Sequence, residues 1–194
     1  MVAEAQVKKC YISVRDCARA AGVYFSKVKL YLLRHGIAVE PGTPGYEKDA
    51  GRPLLPKGKR QLQQTAQALA KMELQFDLIL SSPFLRAKQT AEIIAGSLKL
   101  KKRLEFSDVL TPDGDPAALI RQVNAMKPAP GKVLVVGHEP QLSHLIALLT
   151  TGHPALEVDL KKGGLCKLEV ESLRAGPCAA LAWLLTPRQM RLMA

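Results

Sequence analysis

Three short apolar runs each stop abruptly at polar residues. Residues 29–33 (KLYLL) run into Arg34-His35-Gly36, residues 77–80 (DLIL) into Ser81-Ser82-Pro83, and residues 133–136 (VLVV) into Gly137-His138. Runs of four or five apolar residues bounded by turn formers read as strands buried on both faces. The stretches between them have helical periodicity. Residues 58–73 carry Leu62, Ala66, Leu69 and Ala70 on one face, residues 84–98 carry Ala87, Ala91, Ile94, Ala95 and Leu98, and residues 140–150 carry Leu142, Leu145, Ile146 and Leu149. Residues 115–127 also read as a helix, and residues 37–57, rich in Pro and Gly, as a loop. Two further strands are predicted at 165–170 and 180–185. Buried strands alternating with amphipathic helices predict an α/β domain, a three-layer α/β/α stack around a largely parallel central sheet.

The alternation begins at Val28. Residues 1–27 show no sustained period and hold five cations against two acids. They read as a flexible extension, with residues 28–194 as the domain. A GTG codon encodes valine or starts translation, so Val28 also carries the hypothesis that residues 1–27 are not native. Mass spectrometry of the native protein tests this, and an intact Met1 peptide would end it. Acidic residues in the segment argue against a transit peptide, and charges interrupt every candidate secretory core. No apolar run approaches the roughly 20 residues of a membrane helix. The four cysteines form no CxxC pair and read as free thiols of a reducing compartment. The sequence therefore predicts a cytoplasmic protein without a membrane partner.

In open α/β sheets the ligand crevice lies beyond the carboxyl ends of the strands. Two of the four histidines, each beside a glycine, fall at such ends, together with Arg34; Arg86 follows one turn into the helix after Ser81-Ser82. Guanidinium groups supply planar donors that fit phosphate oxygens. Like charge disfavours imidazolium, so two arginines are expected to lower the pKa of an adjacent histidine. A neutral imidazole has a free lone pair and is a nucleophile. This is the equipment of phosphoryl transfer, where a protein mainly positions and neutralises. The net charge of +11 attracts anions in general: phosphate, nucleic acid, acidic protein or anionic lipid. Only nine aromatic residues and no nucleic-acid motif speak against nucleic acid. No HExxH, EF-hand or P-loop pattern occurs, so no metal cluster and no nucleotide cradle is expected.

Three ordered motifs resemble the histidine phosphatase superfamily, the phosphoglycerate mutase-like group. They are Leu30-Tyr31-Leu32-Leu33-Arg34-His35-Gly36, Ser81-Ser82-Pro83-Phe84-Leu85-Arg86-Ala87-Lys88-Gln89-Thr90-Ala91, and Val136-Gly137-His138-Glu139-Pro140. The segments Leu110–Asp115 and Leu185-Thr186-Pro187 resemble its SixA-type phosphohistidine phosphatases. The resemblance implies a phosphoglycerate mutase-like fold with no cofactor. It assigns His35 as a transiently phosphorylated nucleophile, with Arg34, Arg86 and His138 holding the phosphoryl oxygens. The implied partner is a phosphohistidine-bearing protein, such as a histidine-containing phosphotransfer domain or phosphocarrier, and the oligomeric state stays open. Arg52 is a candidate contact at the crevice rim, with a plain surface charge as its other reading.

Three departures matter. Ile37-Ala38-Val39-Glu40 lacks the Asn of the mutase-like relatives, and no insertion between residues 98 and 110 supplies their general acid. A phosphohistidine substrate can dispense with that acid, because a protonated one releases neutral imidazole. Leu55 stands where the SixA-type pattern has a helix-capping Thr. Glu139, Asp113 and Asp115 are the nearest carboxylates for activating water, Asp115 reading rather as a helix cap; His144 and His153 read as structural. Gln89 and Thr90 are equally accounted for by helix packing. The alternatives are a phosphatase for small phosphate monoesters and, in another class, a non-catalytic phospho-binding module.

Overall fold

Adjacent residues of the first strand enter different cores. Leu30 and Leu32 pack into one buried cluster, Tyr31 and Leu33 into another. A strand buried on both faces must be continuously apolar, which is why the run carries no polar alternation. The computed structural model describes residues 28–153 and 156–194. The expected extension at 1–27 and Cys10 and Cys17 lie outside the described residues.

Strands β1 (Val28–Arg34), β2 (Leu78–Ser81), β3 (Leu104–Phe106), β4 (Lys132–Gly137), β5 (Leu165–Val170) and β6 (Ala179–Leu185) form one sheet in the order β3-β2-β4-β1-β5-β6. Strands β1 to β4 pair in parallel, and β5 runs antiparallel to both β1 and β6. Helices α1 (Pro56–Lys71), α2 (Leu85–Ser97) and α5 (Pro187–Met193) contribute Leu69, Ile94 and Met190 to the core on one face. Helices α3 (Pro116–Ala125) and α4 (Gln141–Thr151) contribute Ile120 and Ile146 to the core on the other. The three layers and the largely parallel sheet are those expected.

Details differ from expectation for identifiable reasons. Helix α1 starts at Pro56, whose fixed φ suits the first helical position. Ala70, expected on its buried face, is exposed, and Ala68 is buried instead, because α1 packs between α2 and α5 and buries a broader stripe. Strand β3 escapes a hydrophobic reading, being a three-residue edge (LEF) with exposed Phe106. Helix α5 escapes it too, yet carries a local signal: Thr186 and Gln189 form a capping box around Pro187.

The register aligns the strand ends. Arg34 lies opposite Gly137, and Ser81 opposite Val136. Beyond the strands the ladder continues, with His35 N–H donating to Gly137 O (3.0 Å) and Ser82 N–H to Val136 O (3.0 Å). Arg34, His35, Ser82 and His138 therefore emerge on one rim.

Candidate active site

Gly36 follows the β1 rim in a tight spot: a Cβ there would lie 2.7 Å from Leu62 Cδ1, so that side chain would have to shift. Its N–H donates to Thr90 Oγ1 (3.1 Å), and its carbonyl accepts from His35 Nδ1 (2.8 Å). A carbonyl only accepts, so Nδ1 carries the proton and Nε2 keeps its lone pair. Arg86 Nε–H donates to that Nε2 at 3.2 Å. His35 is 6% exposed and its pKa is lowered to about 3. Burial is the largest cause; the Arg86, Arg34 and Lys162 charges add to it, and the Gly36 hydrogen bond opposes it. Neutrality at Nε2 thus holds, but desolvation dominates the like-charge effect that the sequence alone pointed to.

The His138 ring centroid is 5.1 Å from that of His35. Its Nε2 lies 2.9 Å from Ser82 Oγ, and Phe84 packs edge-on against it at 5.4 Å. Its pKa is also lowered to about 3, first by burial and then by Arg86 and His35. Arg34 donates from Nη1 to Leu160 O (2.9 Å). Among the described residues, Arg34 Nε, His138 Nδ1 and Glu139 Oε1 are buried without a protein partner. Buried polar atoms left unpaired cost free energy unless something else satisfies them. Burial also raises the Glu139 carboxyl, against hydrogen bonds from Ser143 and the charge of Arg34.

The four residues expected around one pocket, Arg34, His35, Arg86 and His138, are thus brought together. Arg52 is not a surface charge: it is 8% exposed, with Nε and Nη2 on Asp49 Oδ1 (2.8 and 2.5 Å) and Nη1 on Val39 O (2.5 Å). It ties down the loop after His35 and shares the Asp49 carboxylate with Arg86. That loop is also more ordered than its Pro and Gly content implied. Ala38 bridges Leu54, and Leu54 N–H donates to Gln89 Oε1 (2.8 Å). Gln89 and Thr90 thus hold the rim as well as packing their helix. Asp115 caps α3 through Ala117 N–H and Ala118 N–H, as expected, and His144 is exposed on α4.

Asp49 was not legible as a site residue. Its Oδ2 accepts from Arg86 Nη2 (2.9 Å) and its backbone O from Arg86 Nη1 (2.8 Å). Burial would raise its carboxyl, but the hydrogen bonds from Arg52 and Arg86 outweigh this and hold it below its usual range. The only local signal was a carboxylate three residues before Arg52 in an otherwise irregular segment.

A neutral imidazole with its lone pair toward a guanidinium, beside a second neutral imidazole and a second arginine, is equipment for a tetrahedral oxyanion. The profile of the histidine phosphatase superfamily (branch 1) matches residues 30–109, which include Arg34, His35 and Arg86. Together with the relatives below, this match places the chain in the histidine phosphatase superfamily, as a phosphatase. It is 35% identical over 148 residues to an uncharacterised protein of Picosynechococcus sp., spanning 76% of this chain and 88% of that protein. It is 31% identical over 126 residues to the phosphohistidine phosphatase SixA of Escherichia coli, spanning 64% of this chain and 76% of SixA. A solved structure of the protein histidine phosphatase SixA complexed with tungstate is similar with a TM-score of 0.68 at 28% identity, covering 83% of this chain and 98% of that one. Among the described residues, no helix is long and apolar enough to cross a membrane.

Proposed function

We propose that this phosphatase hydrolyses phosphohistidine on a signalling or phosphocarrier protein through a covalent phospho-His35 intermediate. One observation carries the reading: His35 Nδ1 is committed to Gly36 O, so its other nitrogen, Nε2, presents a lone pair beside Arg86. In the first step that lone pair forms an N–P bond as the substrate's P–N bond breaks. The leaving imidazole takes the bonding pair and departs neutral, keeping the proton on its other nitrogen. In the second step water adds to phosphorus, and one of its protons passes to a phosphoryl oxygen. The His35 N–P bond breaks, its pair returns to Nε2, and inorganic phosphate leaves. Arg34, Arg86 and His138 hold the phosphoryl oxygens through both steps.

The absence of an insertion between α2 and α3 supports a protein-borne substrate. Residues 98–115 are occupied by two short 3-10 turns, strand β3 and the cap of α3. The likeness to SixA supports the same substrate class. The positive surface suits an acidic partner face. A groove of about 320 Å³ between α1 and α5 is lined by Lys57, Arg60, Arg188 and Arg191. Both helices begin at the carboxyl ends of parallel-running strands, so Lys57, Arg60 and Arg188 lie toward the site's end of the sheet.

The test compares a phosphohistidine protein with p-nitrophenyl phosphate, for wild type and His35→Ala. The wild type is expected to prefer the phosphoramidate, and His35→Ala to be inactive on both. Undiminished turnover by the variant removes His35 as nucleophile, and a preference for the ester moves the substrate to small phosphate monoesters.

A further inference from the structure

Arg86 uses its guanidinium in two directions. Nη1 and Nη2, the end-on edge, bind Asp49 through its backbone carbonyl and its carboxylate. Nε, on the side-on edge it shares with Nη2, points at His35 Nε2. A guanidinium is planar, so fixing one edge fixes the direction of the other. Asp49 is in turn held by the fork of Arg52, and Arg52 is anchored on Val39 O. A continuous chain of hydrogen bonds therefore runs from the loop backbone through Arg52, Asp49 and Arg86 to the nucleophilic nitrogen.

We propose that Asp49 is a positioning residue for phosphoryl transfer: it clamps the end-on edge of Arg86 so that the side-on edge faces His35 and the transferred phosphoryl group. The proposal rests on the phosphoryl-transfer reading of the site. It assigns Asp49 no contact with the reacting atoms. Arg86 is 3% exposed, and a buried guanidinium with an unpaired edge would turn toward any other acceptor. The carboxylate of Asp49 is half exposed, at 47%, and so stands at the outer side of the pair. A carboxylate in this place also has an opposite reading, as a plug that competes with substrate for Arg86. The two readings differ in sign. A clamp strengthens oxyanion binding, whereas a plug weakens it.

The experiment measures tungstate affinity by calorimetry and kcat/KM for p-nitrophenyl phosphate in wild type, Asp49→Ala, Asp49→Asn, Arg86→Lys and the Asp49→Ala/Arg86→Lys pair. Thermal melts verify that each variant is folded. Asp49→Ala is expected to weaken tungstate binding and kcat/KM by about tenfold to a hundredfold, the scale of a misaimed group. Asp49→Asn, which keeps one acceptor but loses the charge, falls between it and wild type. The Arg86→Lys background has no fork to orient, so Asp49→Ala there changes tungstate affinity by less than about twofold. Tighter tungstate binding by Asp49→Ala overturns the clamp in favour of the plug. An equal loss in both backgrounds, with and without Arg86→Lys, also overturns it, leaving a purely structural role for the loop. Both readouts use the site itself, so they stand even where a phosphohistidine protein proves not to be a substrate.

Discussion

His35 and His138 are buried at 6% and 1% exposure, and each has a pKa lowered to about 3 from an ordinary value of 6.5. The unfolded chain binds protons on these histidines as pH falls through 6.5, whereas the folded chain does not until about 3. Stability from both is full above the unfolded value and is lost as pH falls between the two. Near pH 5 the loss is about 2 kcal/mol for each ring. Urea midpoints between about pH 7 and 5 are expected to fall more steeply for wild type than for His138→Gln. Equal slopes would show that His138 titrates normally in the folded state. The same burial keeps His35 Nε2 unprotonated, so any acid limb of the pH–rate profile above about pH 5 belongs to another group. Such buried, neutral imidazoles were visible in the sequence only as two histidines at strand ends. What makes them neutral, enclosure more than guanidinium charge, is a property of packing and could not be read from residue types.

The start of α1 joins fold to site at the scale of elements. Gly58 lies in its first turn, and a Cβ there would sit 2.1 Å from the Ile37 carbonyl oxygen. That carbonyl also accepts from Leu55 N–H (3.0 Å), so helix and post-His35 loop touch backbone to backbone. Gly58→Ala gains about 1 kcal/mol of helix propensity but forces the loop away at a cost of about 1–3 kcal/mol. Net destabilisation with reduced turnover is expected, measured by urea denaturation and p-nitrophenyl phosphate kinetics; a stabilised, fully active variant would break the link. Just ahead of the same turn, Leu55 occupies the N-cap with extended backbone (φ −71°, ψ 156°) and makes no side-chain cap bond. Leu55→Thr is expected to add about 1 kcal/mol, and an unchanged urea midpoint would contradict this. The helices and central strands were legible because each buries a face, and burial writes a period into the sequence. Strand β3 and helix α5 were not, being short and half exposed, and the pinning of the loop at 37–55 depends on partners far away in sequence, Gln89 and Arg86.

For the molecule as a whole, the +11 charge acts at a distance that the site's own groups do not. If the partner is an acidic phosphohistidine protein, kcat/KM for it should fall by about tenfold on raising salt from roughly 50 to 200 mM, while p-nitrophenyl phosphate hydrolysis changes little. Parallel salt responses for the two substrates would remove the surface from the account. Topology does the remaining work. Placing β1 between β4 and β5, with β2 on the far side of β4, brings motifs separated by about a hundred residues to one rim. The three motifs could be recognised in the linear sequence, but their convergence depended on that strand order. The central claim, a phosphoryl group carried on His35, is tested most directly by rapid quenching of the enzyme during turnover of a phosphohistidine protein, followed by peptide mapping under alkaline conditions that preserve phosphohistidine. One acid-labile phosphoryl group on the peptide containing His35, absent from His35→Ala, is the predicted result. Turnover with no labelled peptide, or with the label on His138, would contradict it.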